Sequence, residues 1–110
     1  MAVSQGEIVE LNYELPNGTL KTHPALVISR STVHEAEDIF YALMISSKPL
    51  PDEFSYPLTN EMLSKPFPKK SYVKCQLIQS YTEDEIIGRH GRIKHKYLLE
   101  IKEILMNDVF

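Results

Sequence analysis

Two apolar stretches separated by Leu15-Pro16-Asn17-Gly18 restrict this chain more than any other feature of it. Proline fixes φ and Asn-Gly tolerates positive φ, so the tetrapeptide reverses the chain by a defined mechanism. Before it, residues 7–13 place Val9, Leu11 and Tyr13 on one face, the alternation of a half-buried strand. After it, residues 20–29 return through Ala25-Leu26-Val27-Ile28 toward Ser29 and Arg30. Pro24 cannot donate to a ladder, so it marks an edge position, a bulge or the true start of this second strand. The pair predicts a long N-terminal β-hairpin whose loop carries polar groups.

The rest of the chain extends the β reading. Residues 31–38 are polar and acidic, a loop or one helical turn in which His34 is expected to face solvent. Residues 39–45 are a short apolar run between polar segments, the pattern of a buried central strand. Residues 46–53 read as a loop, 54–58 as a short strand, and 59–63 as a helical turn before the breaker-rich Lys65-Pro66-Phe67-Pro68. Residues 71–79 form a further strand, with Cys75 as a small buried hydrophobe. From Lys94 the period changes: Tyr97, Leu98, Ile101, Ile104 and Leu105 recur at helical spacing. The expectation is a single domain over residues 1–110, mainly β, a small antiparallel barrel with a C-terminal α-helix against it. Unprotected strand edges in so small a body predict a homodimer.

Charge narrows the function. The net charge is −3, but residues 1–64 carry −6 and residues 65–102 carry +5. Lys69, Lys70, Lys74, Arg89, Arg92, Lys94 and Lys96 form either a phosphate-attracting face or an ordinary solvated surface. A single cysteine excludes an internal disulfide framework and a cysteine-based zinc site. His90 and His95 stand among basic residues without a recognised ligand spacing, so neither a metal nor a cofactor is expected. No Gly-rich phosphate loop, helix-borne His-Glu pair or nucleophilic triad is present. No run has the length of a membrane span, and the N-terminus lacks the basic start and apolar stretch of a secretory signal, so the expected location is cytoplasmic.

Nearly the whole chain resembles the MazF/PemK family of toxins from type II toxin–antitoxin systems. Gly6-Glu7-Ile8-Val9 is similar to the family's opening strand, and His23-Pro24-Ala25-Leu26-Val27-Ile28-Ser29 to its Arg-Pro-x-Leu-Val-Ile segment. Met44-Ile45-Ser46-Ser47 resembles the strand end that carries a Thr or Ser, and residues 71–76 the strand leading to an Arg/Asp stretch. Residues 88–105 resemble the closing glycine-plus-helix element. The resemblance implies an SH3-like barrel that dimerises, cuts single-stranded RNA without metal, and is held inactive by an antitoxin.

Such cleavage uses the RNA 2′-hydroxyl as nucleophile and needs a base beside it, positive charge over the phosphate and an acid at the leaving oxygen. On the family's pattern His23, Ser46 and Lys74 hold the catalytic positions, and Lys21, Ser29, Arg30, Ser47 and Gln76 complete the expected RNA-binding set. His23 stands where the family has arginine; it can donate and accept near neutral pH but lacks the guanidinium's bidentate clamp. Lys74 and Gln76 replace the Arg/Asp pair, which keeps the cation and loses the carboxylate. Two other readings stay open: a barrel that binds nucleic acid or protein without catalysis, and a CcdB-like poison of DNA gyrase.

Overall fold

A computed structural model describes residues 3–48 and 54–110. The alternating segments around the Pro-Asn-Gly turn form the hairpin of β1 (Glu7–Glu14) and β2 (Leu20–Val27). Gly18 takes a φ of 84°, and its N–H donates to the Leu15 carbonyl at 2.8 Å. That conformation is open to glycine at little cost and strained for other residues. After β2 come α1 (Ser31–Glu37), β3 (Phe40–Ser46), β4 (Ser55–Leu58), β5 (Ser71–Tyr81), β6 (Gly88–Arg92) and α2 (His95–Ile104). The six strands make one antiparallel sheet in the order β4-β5-β3-β2-β1-β6.

The sheet curls into a half-barrel until its two ends nearly meet. Leu63, just after β4, bridges to Ile93, just after β6. The Ser64 N–H reaches the Arg92 carbonyl at 2.9 Å, and the Lys94 N–H reaches the Met62 carbonyl at 2.8 Å. Gly91, at φ 73°, allows this seam: a Cβ there would stand 2.4 Å from Ser64 Oγ.

Successive strand residues point to opposite faces, and here both faces are covered. Inside the curl, Ile8, Leu26, Leu43, Ile45, Val73 and Cys75 pack with Leu98, Ile101 and Leu105 of the C-terminal helix. On the outer face Val9, Leu11, Tyr13, Ala25, Val27 and Phe40 form a second apolar layer with Val3 and Tyr81.

The differences from the sequence reading have local causes. β2 stops at Val27 rather than Ser29 because Ser29 Oγ accepts the Tyr41 N–H at 2.9 Å, so a side chain ends the ladder. Residues 31–37 form two turns of helix in place of a loop or single turn. His34 is not solvent-facing: its side chain is only 15% exposed, lying edge-on to Phe40 and near Glu83. β6 was not foreseen as a separate strand. Within the C-terminal helix Leu98, Ile101 and Leu105 are buried, while Tyr97 and Ile104 are half-buried. The loop expected at 46–53 lies outside the described residues from position 49 onward.

Candidate active site

The candidate site begins with a missing hydrogen bond. The Ile28 N–H donates to Tyr41 of β3, so even-numbered residues of β2 direct their N–H groups toward β3. Pro24 holds such a position and has no N–H. Pairing between β2 and β3 accordingly covers Ala25, Leu26 and Val27 and stops there, while β2 continues alongside β1 as far as Leu20. The hairpin arm parts from β3, and a cleft of about 190 Å³ opens beside His23.

Alternation supplies the walls. His23 and Lys21 come from β2, Met44, Ser46 and Lys48 from the end of β3 and the residues after it, and Lys74 and Gln76 from β5. A bulge completes the arrangement. Leu43 pairs with Ile78 and Ile45 with Val73, so residues 74–77 of β5 lie opposite Met44 alone. Bulges of this kind bend a strand and re-aim its side chains. Here the bulge carries Lys74, Gln76 and Leu77 to the cleft wall.

Each side chain is held. The Tyr13 ring stands edge-on to His23, with centroids 6.3 Å apart, and its own hydroxyl donates to the Ala42 carbonyl. Lys74 is only 4% exposed, and its Nζ donates to Ser55 Oγ at 2.8 Å. Ser46 is 7% exposed, and its Oγ accepts the Lys48 N–H at 3.3 Å. Desolvation is the main cause that lowers the His23 pKa below its ordinary value, and the Lys21 and Lys48 charges add to it. The Ile45 backbone carbonyl acts in the opposite sense without reversing it. The ring is therefore mostly neutral at pH 7 and free to accept a proton.

Of the residues expected at the site, His23, Ser46, Lys74, Lys21 and Gln76 line this one cleft. Ser47 lines the next one, which shares Lys21 and His23. Ser29 and Arg30 do not join them: they lie beyond the paired end of β2, where Ser29 ties to Tyr41 and Arg30 leads into α1. The seven basic residues do not form one face either. Arg89 pairs with Glu7 and Glu83, Arg92 donates to the Gln5 carbonyl, and Lys74 turns into the cleft. Lys48 escaped the sequence reading, although it follows Ser46 by two residues and alternation places both on one face. Ser55 left no sequence signal, because its link to Lys74 depends on the β4–β5 register. Among the described residues that line the cleft there are three lysines and no carboxylate, in a chain whose net charge is −3.

A curled antiparallel half-barrel with a C-terminal helix and a cationic, hydroxyl-bearing cleft beside its first hairpin defines the class: a small, mainly-β protein. Residues 4–107 match the sequence model of the PemK-like, MazF-like toxins of type II toxin–antitoxin systems, and the chain belongs to that family. Among solved structures it is similar to the MazE–MazF complex from Deinococcus radiodurans, with 18% identity and a TM-score of 0.75 over 96% of this chain and 94% of that one. It is also similar to an endoribonuclease in complex with its cognate antitoxin from a mycobacterial species. That match has 15% identity and a TM-score of 0.79 over 98% and 95% of the two chains. The Mycobacterium tuberculosis toxin MazF-mt6 matches at 15% identity and a TM-score of 0.68 over 90% and 93%. At these identities the likeness is one of fold. Comparison with curated sequences gives no match.

Proposed function

We propose that this protein is an endoribonuclease that cuts single-stranded RNA at the cleft around His23 without a metal, and that a cognate antitoxin silences it there. The observation that carries the reading is a half-buried imidazole, depressed in pKa, sharing a cleft with Ser46 and Lys74. Family membership and the similar structures, one an endoribonuclease bound to its antitoxin, support the same reading.

In this scheme neutral His23 takes the proton of the 2′-hydroxyl, whose oxygen attacks the adjacent phosphorus. The bond from phosphorus to the 5′ oxygen breaks, giving a 2′,3′-cyclic phosphate on one fragment and a 5′-hydroxyl on the other. Lys74 offsets the charge that grows on the non-bridging oxygens. The Ser46 hydroxyl donates to the leaving 5′ oxygen, and solvent replaces its proton. Gln76, Lys21 and Ser47 bind the flanking chain. No hydroxide has to be generated, because RNA brings its own nucleophile. The working unit is a homodimer formed through sheet edges or loops of the N-terminal half, where the β2 arm has one side that no described strand pairs.

The test is purified protein with a long single-stranded RNA in EDTA, with the cut positions and end groups read directly. Discrete cuts ending in cyclic phosphate and 5′-hydroxyl are expected. A second reading rests on His23 standing where the family has arginine and on the missing carboxylate at Gln76. Under it the barrel only binds, and RNA that stays intact but is retarded in a gel would select it.

A further inference from the structure

Three adjoining clefts, rather than one, run across this face. The cleft of Lys74 and Ser46 shares Lys21 and His23 with a second of about 280 Å³. The second shares Phe67, Pro68 and Lys69 with a third of about 290 Å³, which adds Lys70. Lys21, Lys48, Lys69, Lys70 and Lys74 border this path, and no described residue that lines it is acidic. Chance placement of a chain with 15 acidic and 12 basic residues gives no reason for that segregation.

Phe67 lines both the second and the third cleft. The Phe67 ring lies parallel to the His90 ring, with centroids 4.5 Å apart and planes 3° off parallel. His90 is fixed in turn by a ring nitrogen 3.2 Å from the Pro66 carbonyl. Lys70 Nζ sits 5.9 Å from the Tyr72 ring centroid. The segment is anchored at both ends, by the Ser64–Arg92 backbone bond and by Ser71 Oγ donating to the Lys69 carbonyl. Aromatic platforms with cations between them are the chemistry that holds single-stranded nucleic acid, through stacked bases and neutralised phosphates.

We propose that the RNA strand continues past His23 into a second binding stretch, in which Phe67 and His90 form a stacking platform and Lys69 and Lys70 contact backbone phosphates. The inference rests on the ribonuclease reading above and adds where the substrate's flanking nucleotides go. It makes affinity depend on RNA length on one side of the cut.

The test uses oligoribonucleotides across the mapped cleavage site, with a 2′-deoxy sugar at the cleaved nucleotide so that binding is read without cleavage. One probe is long; two others are trimmed on either side of the cut. K69A/K70A should bind the long probe about tenfold more weakly and lower its log–log salt slope by about 1.4, some 0.7 per phosphate contact. It should match wild type on the probe trimmed on the Phe67 side, and cleave a minimal substrate at the wild-type rate. F67A should weaken every probe that keeps the Phe67-side nucleotides and spare the one trimmed there; because Phe67 packs on the core, the exposed lysine pair provides the reading if F67A unfolds. Wild-type affinity of K69A/K70A for every probe, or an equal loss on all of them, overturns the second stretch while RNA cleavage stands. A wild-type protein that neither binds nor cuts RNA overturns both, and a loss confined to an acidic peptide probe assigns the face to a protein partner instead.

Discussion

At the scale of single residues, burial decides the chemistry of His23. Deleting a general base usually costs 10²–10⁴-fold in rate, so His23→Ala should lose about that much RNA cleavage while keeping its circular-dichroism spectrum and melting behaviour. Because the ring acts neutral and its pKa is depressed, cleavage should rise with pH along a limb whose midpoint lies below 6.5 and be flat at neutrality. The same depression bears on stability. Below its ordinary value of 6.5 the unfolded chain takes up the ring proton first, so acidification favours unfolding, and above that value the effect vanishes. Wild-type protein should therefore lose more melting temperature between pH 7 and pH 5 than His23→Gln. Ser55 holds Lys74 Nζ at 2.8 Å; Ser55→Ala should raise KM for RNA several-fold, leave the acidic limb in place, and be rescued by Ser55→Thr. His23, Ser46, Lys74 and Gln76 were legible because the family's motif points at them. Ser55 and the bulge were not, since each depends on which residue a neighbouring strand sets opposite.

At the scale of elements, periodicity was readable wherever one face had to be apolar. The hairpin and α2 bury a face and left its period in the sequence, whereas β3, buried on both faces, showed as an apolar run. The elements that were missed bury nothing that a period could report. α1 has no buried residue, and β6 reads Gly-Arg-His-Gly-Arg, held by its ladder to β1 rather than by an inward side chain. Truncation should show the same division. Ile101, fully buried where the helix meets the barrel interior, should cost about 2–5 kcal/mol as Ile101→Ala in chemical denaturation. Gly91→Ala asks a Cβ to adopt positive φ and to approach Ser64 and Lys65 at the seam. It should destabilise by more than the roughly 0.4–1 kcal/mol that such a replacement gains where the backbone is compatible, and loosen the seam between the segments after β4 and β6.

At the scale of the whole molecule, a sheet with apolar layers on both faces leaves its edges and loops as the places where other chains can attach. Light scattering at micromolar concentration should report twice the 12.7 kDa of one chain; a mass of one chain throughout would refute the dimer. The arm that Pro24 frees from β3 is such an edge, and amide hydrogen exchange is its natural reporter. Lys21 and His23 sit at positions whose N–H groups face β1, whereas Leu20 and Thr22 turn theirs to the side that no described strand pairs and are exposed. Deuterium should therefore enter this short ribbon at every second residue, quickly at 20 and 22 and slowly at 21 and 23. An extended peptide that adds itself as a strand would slow that fast pair alone, so two amides would act as a clock for occupancy.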